Sequence, residues 1–188
     1  LVPVDRSEER AFHQAQYVSQ LPNAADDVEA TVLYVVPPDA RSDVEAVEFA
    51  DVDAAVGAAN LLEGEDVSVT RTVTGGAISD RIVRSAEEFD ADEVVMGGRK
   101  RSGVSRVLLG STVQDVMLSA ERPVTITGET SVTDDGTWRV LVPVDSDVER
   151  ARHQAAYVTG LPDAAAAVEA TVLTVFRHQD YRGAPPHT

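Results

Sequence analysis

Two hydrophobic periods alternate along the first 128 residues of the chain. Runs of consecutive or alternating apolar and β-branched residues, typical of strands, lie at 1–5, 29–36, 66–74, 92–98 and 123–127. Segments with helical spacing separate these runs, and they lie at 7–20, 43–63, 77–89 and 111–120. Five strands alternating with four helices predict an α/β fold: a doubly wound five-stranded parallel sheet with helices on both faces.

The opening pattern returns near the end of the chain. The segment LVPVDRSEERAFHQAQYV begins at Leu1, and LVPVDSDVERARHQAAYV begins at Leu141, an offset of 140 residues without a gap. This offset has the size of a domain and is too long for a solenoid repeat. We therefore predict a complete domain over 1–128, a polar linker over 129–137 and an incomplete β-α-β copy with a tail over 138–188. We expect the rest of this copy to lie outside the sequence, the alternative being that the fragment docks on another chain.

Charge excludes several classes of partner. Lys and Arg number 16 against 32 Asp and Glu, which gives a net charge of −16. Such a surface disfavours a nucleic-acid partner or a polybasic membrane anchor. Lys100 is the single lysine, and the acidic residues are spread along the chain, a pattern that suits a halophile's high-salt interior, where charge repulsion is screened. Without cysteine, a long apolar run or a secretory signal, we expect a cytoplasmic protein whose true start lies a few residues upstream of Leu1.

The candidate chemistry follows the fourth strand. Glycines at 97 and 98 lead into a basic loop that contains Arg99, Lys100 and Arg101, and the loop closes with GST at 110–112, at the start of a helix. A helix N-terminus with a glycine and hydroxyl side chains is suited to binding phosphate. The alternative is structural, because Ser and Thr are common N-caps and glycine is common in turns.

The same segment resembles the universal stress protein family. The family's motif is a strand followed by glycine, two residues, glycine, nine residues and then Gly-Ser or Gly-Thr, and here VVMG, Gly97 and LLGS match it. The opening VPVD and Pro123-Val124 match as well. The resemblance covers 1–128 and again 138–176, and it implies a Rossmann-like fold related to the adenine nucleotide alpha hydrolases. We therefore suspect a tandem-domain, haloarchaeal-like member.

The resemblance implies a site for ATP or another adenine nucleotide, with Mg²⁺ as a further expectation. Residues 3–5 would contact base and ribose, the backbone of 35 would bind adenine, 96–97 would line the ribose and phosphate path, and 110–112 would hold the phosphates. With the basic loop, the expected cofactor-binding residues are Pro3, Val4, Asp5, Val35, Met96, Gly97, Arg99, Lys100, Gly110, Ser111 and Thr112. Lys100 departs from the motif, since it replaces the second glycine, where it would either block the phosphate or pair with it.

The expected function is a nucleotide-binding stress sensor. The resemblance implies a homodimer that pairs through the last strand, or a pseudo-dimer of the two copies within one chain. No pair of catalytic base and nucleophile is evident, so ATP hydrolysis would be slow at most, and His13 and His153 fit the surface of a helix. The first alternative is an interaction module of the same fold that binds no nucleotide, which Lys100 would favour. The second, an adenylating enzyme, needs a pyrophosphate-binding motif where the sequence has DRSEER.

Overall fold

The structure is a computed structural model that describes residues 1–38, 46–100, 107–128 and 137–175, without the side chains of 99, 100, 107 and 108. The chain divides into two compact units, Leu1–Ser131 and Val132–Thr188. The division falls within the predicted linker, of which residues 129–136 lie outside the described part, as does the predicted tail from 176 onward.

The first unit alternates strands and helices, which confirms the α/β class. Its elements are β1 (Val2–Val4), α1 (Glu8–Ser19), α2 (Ala24–Asp27), β2 (Glu29–Val36), α3 (Asp53–Gly64), β3 (Ser68–Gly75), α4 (Ile78–Glu88), β4 (Val94–Gly97), β5 (Arg99–Lys100), β6 (Val107–Leu108), α5 (Ser111–Ser119) and β7 (Val124–Thr127). The long strand β2 has the bounds that its β-branched run predicts, and seven of its eight side chains are buried or half-buried.

Parallel pairing forms two ladders in this unit. Strand β2 lies between β1 and β3, with Val4 opposite Tyr34, and β4 pairs with β7. The edges of the two ladders meet where the Val95 amide donates a hydrogen bond of 2.9 Å to the Leu1 carbonyl oxygen. Strand β1 therefore has β2 on one side and β4 on the other.

A hydrophobic core lies where α4 and α5 pack on one another and on the strands. Its fully buried members include Leu33, Val94 and Val116. Successive side chains of a strand point to opposite faces. Val32 and Val36, which are out of phase with Leu33, are also at most 2% exposed, so both faces of β2 are covered.

Two local predictions are wrong. The helix expected at 43–63 begins at Asp53, and residues 43–45 lie outside the described part. A 3-10 turn at Phe49–Asp51 precedes it, closed by the Asp51 carboxylate, which accepts from the Glu48 amide at 3.0 Å. The segment after β4, predicted as loop, contains the antiparallel pair β5–β6.

The second unit contains β8 (Trp138–Val144), α6 (Val148–Thr159), α7 (Ala164–Ala167) and β9 (Val168–Thr174), with β8 and β9 parallel. Its sheet leaves apolar side chains in contact with solvent. Leu141 is 59% exposed, whereas its counterpart Leu1 is 8% exposed. Val172 is 67% exposed, whereas its counterpart Val32 is fully buried. The described part of this copy therefore lacks the cover that the first copy has.

Candidate functional site

A cavity of about 330 Å³ opens at the carboxyl ends of β1, β2 and β4 in the first unit. Ligands of open α/β sheets bind at this edge. The lining residues are Pro3, Val4, Asp5, Arg6, Arg10, Gln14, Tyr34, Val35, Pro37, Ile78, Ile82, Met96, Gly97, Gly110, Ser111, Thr112 and Val113. The volume falls in the range of small-molecule pockets. Apolar walls and a few polar groups at one edge are what such a pocket requires.

The N-terminus of α5 forms one end of the cavity. Gly110 is the N-cap, with φ −69° and ψ 162°, and it accepts a hydrogen bond of 3.1 Å from the Gln114 amide. Because glycine has no side chain, the first amides of α5 receive no bond from the cap residue. Ser111 is exposed, and Val113 anchors the first turn in the core at 7% exposure. The helix start is therefore anchored in the core, and among the described residues no cap side chain bonds its first amide groups.

Asp5 turns the end of β1 into α1. One carboxylate oxygen accepts from the Ser7 amide at 2.8 Å, and the other forms an ion pair with Arg10, whose Nε lies 3.1 Å away. Ser7 then caps α1, since its side chain accepts from the Arg10 amide. Asp5 was expected to contact a ligand. It lines the cavity, and it also holds this turn.

The described part of the second copy repeats this turn. Asp145 accepts from the Asp147 amide at 2.9 Å and pairs with Arg150. The backbone amide of Arg150, which donates to Asp147, holds the pKa of that exposed carboxyl below its usual value. The Asp–Arg pair is thus a feature of the strand–helix junction in both copies.

Helix α1 lies directly against β4 at the floor of the cavity. The Gln14 side-chain amide donates to the carbonyl oxygens of Pro3 at 2.7 Å and Val95 at 2.8 Å, and Gln14 is only 2% exposed. A Cβ on Gly97 would lie 2.8 Å from the Cβ of Arg10. Gly97 is therefore required by helix packing, a role that its motif position does not reveal.

Arg6 and Tyr34 line the cavity on the side of β1 where β2 lies. The Arg6 Nε donates to the Tyr34 hydroxyl at 3.1 Å, and its guanidinium carbon lies 5.6 Å from the ring centroid. Tyr34 is 6% exposed, whereas Arg6 reaches solvent. A cation over an aromatic ring is favourable, and the ring also limits the side chain's conformations.

The structure brings nine of the eleven expected site residues to this cavity. They are Pro3, Val4, Asp5, Val35, Met96, Gly97, Gly110, Ser111 and Thr112. The other two, Arg99 and Lys100, have a described backbone in β5, and their side chains lie outside the described part. Binding by any of the eleven stays a prediction.

Sequence reasoning missed several lining residues. Arg10 and Gln14 could have been identified from the sequence, because both recur in the second copy as Arg150 and Gln154. Ile78 and Ile82 line the cavity from α4. The sequence indicated them only weakly, through their spacing of four residues, which places them on one face of a helix. Among the described residues, no group of three or more His, Cys, Asp or Glu could hold a metal ion, and no helix is long and apolar enough to cross a bilayer.

A family model described as the universal stress protein family matches residues 1–128, a span that contains every residue of the cavity. The chain belongs to the universal stress protein family. The resemblance of the motifs at 97–111 is thereby confirmed for the first unit. No curated protein matches the chain with significance.

Solved structures of universal stress proteins share the fold. A universal stress protein from Archaeoglobus fulgidus is 25% identical over 68% of this chain and 96% of its own, with a TM-score of 0.56. Another structure from that organism, described as a complex with dAMP, is 24% identical over 68% of this chain and 94% of its own, with a TM-score of 0.54. A longer one from Archaeoglobus fulgidus DSM 4304 is 22% identical over 96% of this chain and 67% of its own, with a TM-score of 0.64.

Proposed function

We propose that the first unit binds an adenine nucleotide and acts as a stress-response module without robust catalysis. The observation that carries the proposal is the cavity of about 330 Å³, because nine of the site residues expected from the sequence, from four separate segments of the chain, are among those that line it. The universal stress protein in complex with dAMP, which shares the fold, supports the choice of an adenine nucleotide.

The two ends of the cavity suit different parts of a nucleotide. The phosphates lie at the N-terminus of α5, where the amides of the first turn and the hydroxyls of Ser111 and Thr112 can donate to them. The base lies towards β2, where Val35 offers backbone groups and Ile78 and Ile82 provide an apolar wall. Base and phosphates would thus be bound by groups of matching polarity.

The basic loop adds positive charge beside the phosphates. Arg99 and Lys100 follow β4 after Gly98, and their backbone pairs with β6, which leads towards Gly110. A glycine at position 100 would let the backbone amides approach a phosphate closely. We propose that the ammonium group of Lys100 binds the phosphate instead. A Mg²⁺ ion would enter with the phosphates, because it keeps several waters and takes few protein ligands, here the hydroxyls of residues 111 and 112.

The wider architecture is proposed on the same basis. We propose that the two ladders form a single five-stranded sheet of order β3-β2-β1-β4-β7, supported by the hydrogen bond from Val95 to Leu1. The 140-residue repeat supports a tandem protein, and the excess of acidic residues supports a halophilic cytoplasm. Dimerisation through β7, between chains or between copies, completes the proposal.

An interaction module that binds no nucleotide is the second candidate. Met117 and Leu118 on α5 are 46% and 87% exposed, and they follow the proposed phosphate-binding turn on the same helix. Exposed apolar side chains of this size are typical of a contact surface. This candidate would hold if the cavity binds no ligand while the chain still self-associates.

Binding to purified protein tests the proposal. Mass spectrometry of the denatured protein should detect co-purified adenine nucleotide, and calorimetry in concentrated KCl should detect AMP or ATP binding. Gly110→Ala keeps an allowed backbone conformation at φ −69°, yet it places a methyl group beside the first amides of α5. We expect it to weaken binding about tenfold. Gly57→Ala, where a Cβ meets nothing within 4 Å, is the matched control. No binding at millimolar nucleotide would overturn the proposal.

A further inference from the structure

Arg6 has a charge that nothing described in the protein neutralises. Its neighbour Asp5 is already bound by Arg10 and by the Ser7 amide. Among the described residues, no carboxylate lies within ion-pair distance of Arg6, which contacts the hydroxyl and the ring of Tyr34. The terminal nitrogens of Arg6 are available to an anion.

Tyr34 holds this arginine in place. The Tyr34 side chain is buried, and it fixes Arg6 both through its hydroxyl and through its ring. Because a long arginine side chain loses entropy when it binds, a preformed orientation strengthens the hydrogen bonds that the guanidinium can donate. Tyr34 therefore holds the Arg6 guanidinium in an orientation from which it can donate hydrogen bonds to an anion.

The second copy separates this pair from the structural part of the junction. It keeps the aspartate, the arginine and the glutamine as Asp145, Arg150 and Gln154, but it has Ser146 and Thr174 in place of Arg6 and Tyr34. The same strand–helix turn forms without them, as the hydrogen bond from the Asp147 amide to Asp145 shows. Both members of the pair are replaced together, so the pair is not needed for this part of the fold.

Strand order places the pair away from the proposed phosphate end. Tyr34 lies on β2, on the far side of β1 from β4, whereas α5 follows the segment after β4 and leads into β7. The cavity therefore has a positive group at each end, the N-terminus of α5 and the Arg6 guanidinium. A nucleotide whose 5′-phosphates lie at α5 would use both groups if it carried a second anionic group nearer its base.

We infer that Arg6, positioned by Tyr34, makes the site selective for an adenine nucleotide with a second phosphate on its ribose. The inference rests on the proposed nucleotide function and names the ligand class. A carboxylate beside a ribose favours free hydroxyl groups, whereas an arginine accommodates a ribose phosphate. Here the carboxylate of Asp5 already accepts from the Ser7 amide and from Arg10, whereas the Arg6 guanidinium has no carboxylate partner among the described residues.

Two isomers provide the test. ADP and adenosine 3′,5′-bisphosphate have the same atoms, but ADP carries its second phosphate on the 5′-phosphate, whereas the bisphosphate carries it on the ribose 3′-oxygen. The 2′,5′ isomer tests the neighbouring hydroxyl. Calorimetry on the full chain should show that one of the bisphosphates binds about tenfold more tightly than ADP. Arg6→Gln should lower the affinity for that bisphosphate about tenfold more than it lowers the affinity for ADP. Tyr34→Phe keeps the ring but removes the hydroxyl, so it should lower the ratio of the affinity for that bisphosphate to the affinity for ADP by a smaller factor.

Arg84→Gln removes an exposed arginine of α4 that does not line the cavity, and it should leave the ratio of affinities unchanged. If ADP binds at least as tightly as both bisphosphates, or if Arg6→Gln changes all affinities equally, the inference about Arg6 is overturned while the proposed function stands. If neither AMP, ADP nor the bisphosphates bind, both are overturned.

Discussion

A Cβ built on Gly97 would lie 2.8 Å from the Cβ of Arg10. Real Cβ atoms do not approach other atoms this closely, so α1 packs on β4 only because residue 97 has no side chain. The helix in turn holds Arg10 against Asp5 at the cavity. The motif glycine thus shapes the site through packing, in addition to any contact with a ligand.

Gly97→Ala should therefore destabilise the first unit. We expect a loss of about 1 to 3 kcal/mol in the free energy of unfolding, because the helix has to move away from the strand. Denaturant titration followed by circular dichroism measures it. Gly57→Ala is the control, since this exposed helix position has nothing within 4 Å, and alanine there should stabilise by about 0.5 to 1 kcal/mol. Equal effects at the two positions would contradict the packing argument.

Gln14 should contribute more than its counterpart in the second copy. Gln14→Met removes the donor to two buried carbonyl oxygens, those of Pro3 and Val95, at a cost of about 1 to 3 kcal/mol. The Oε1 atom of Gln154 is buried without a hydrogen-bond partner, so Gln154→Met should cost much less. Thermal unfolding of the two variants compares them directly. A larger loss at Gln154 would show that the bridge between β1 and β4 is not the source of the effect.

Local patterns predicted the elements well wherever neighbouring residues decide them. The run at 29–36 is a strand because its nearly continuous apolar and β-branched residues suit a strand that is covered on both faces. The helix expected from 43 began late because the Asp51 carboxylate bonds the Glu48 amide and closes a turn, a competition that periodicity does not register.

The site was only partly predictable, for a related reason. Glycines and hydroxyl residues at strand ends have recognisable spacings, so the residues at 97 and 110–112 could be named from the sequence. Arg6 and Tyr34 are 28 positions apart, and they meet only because the register of β1 and β2 sets Val4 opposite Tyr34. The pairing register of two strands cannot be predicted from the local pattern of a single sequence.

Lys100→Gly should weaken nucleotide binding. It restores the family's glycine but removes the single lysine, whose ammonium we propose to lie beside the phosphates. The loss should be larger for ATP than for AMP, and smaller in concentrated salt, because the interaction is between charges. Calorimetry at two salt concentrations measures both trends. Tighter binding by the variant would instead show that the lysine side chain obstructs the site.

High salt should stabilise the whole chain. At a net charge of −16, repulsion between the acidic side chains opposes the compact state, and it is screened as ionic strength rises. We expect the unfolding temperature to increase between about 0.1 M and about 3 M KCl. Sucrose at matched osmolality is the control for exclusion effects that do not involve charge. A temperature that stays constant or falls in KCl would contradict the halophilic proposal.

The most direct test of nucleotide binding in the first unit is amide NMR of the ¹⁵N-labelled full chain during titration with AMP. Bound phosphates at the N-terminus of α5 should shift the amides of Gly110, Ser111 and Thr112, and a base near β2 should shift that of Val35. The two strands of the second copy, β8 and β9, which correspond to β1 and β2, should be unaffected by the ligand. If no amide shifts at millimolar AMP, or if the shifts occur in β8 and α6 and not at residues 110–112, the cavity of the first unit is not a nucleotide site.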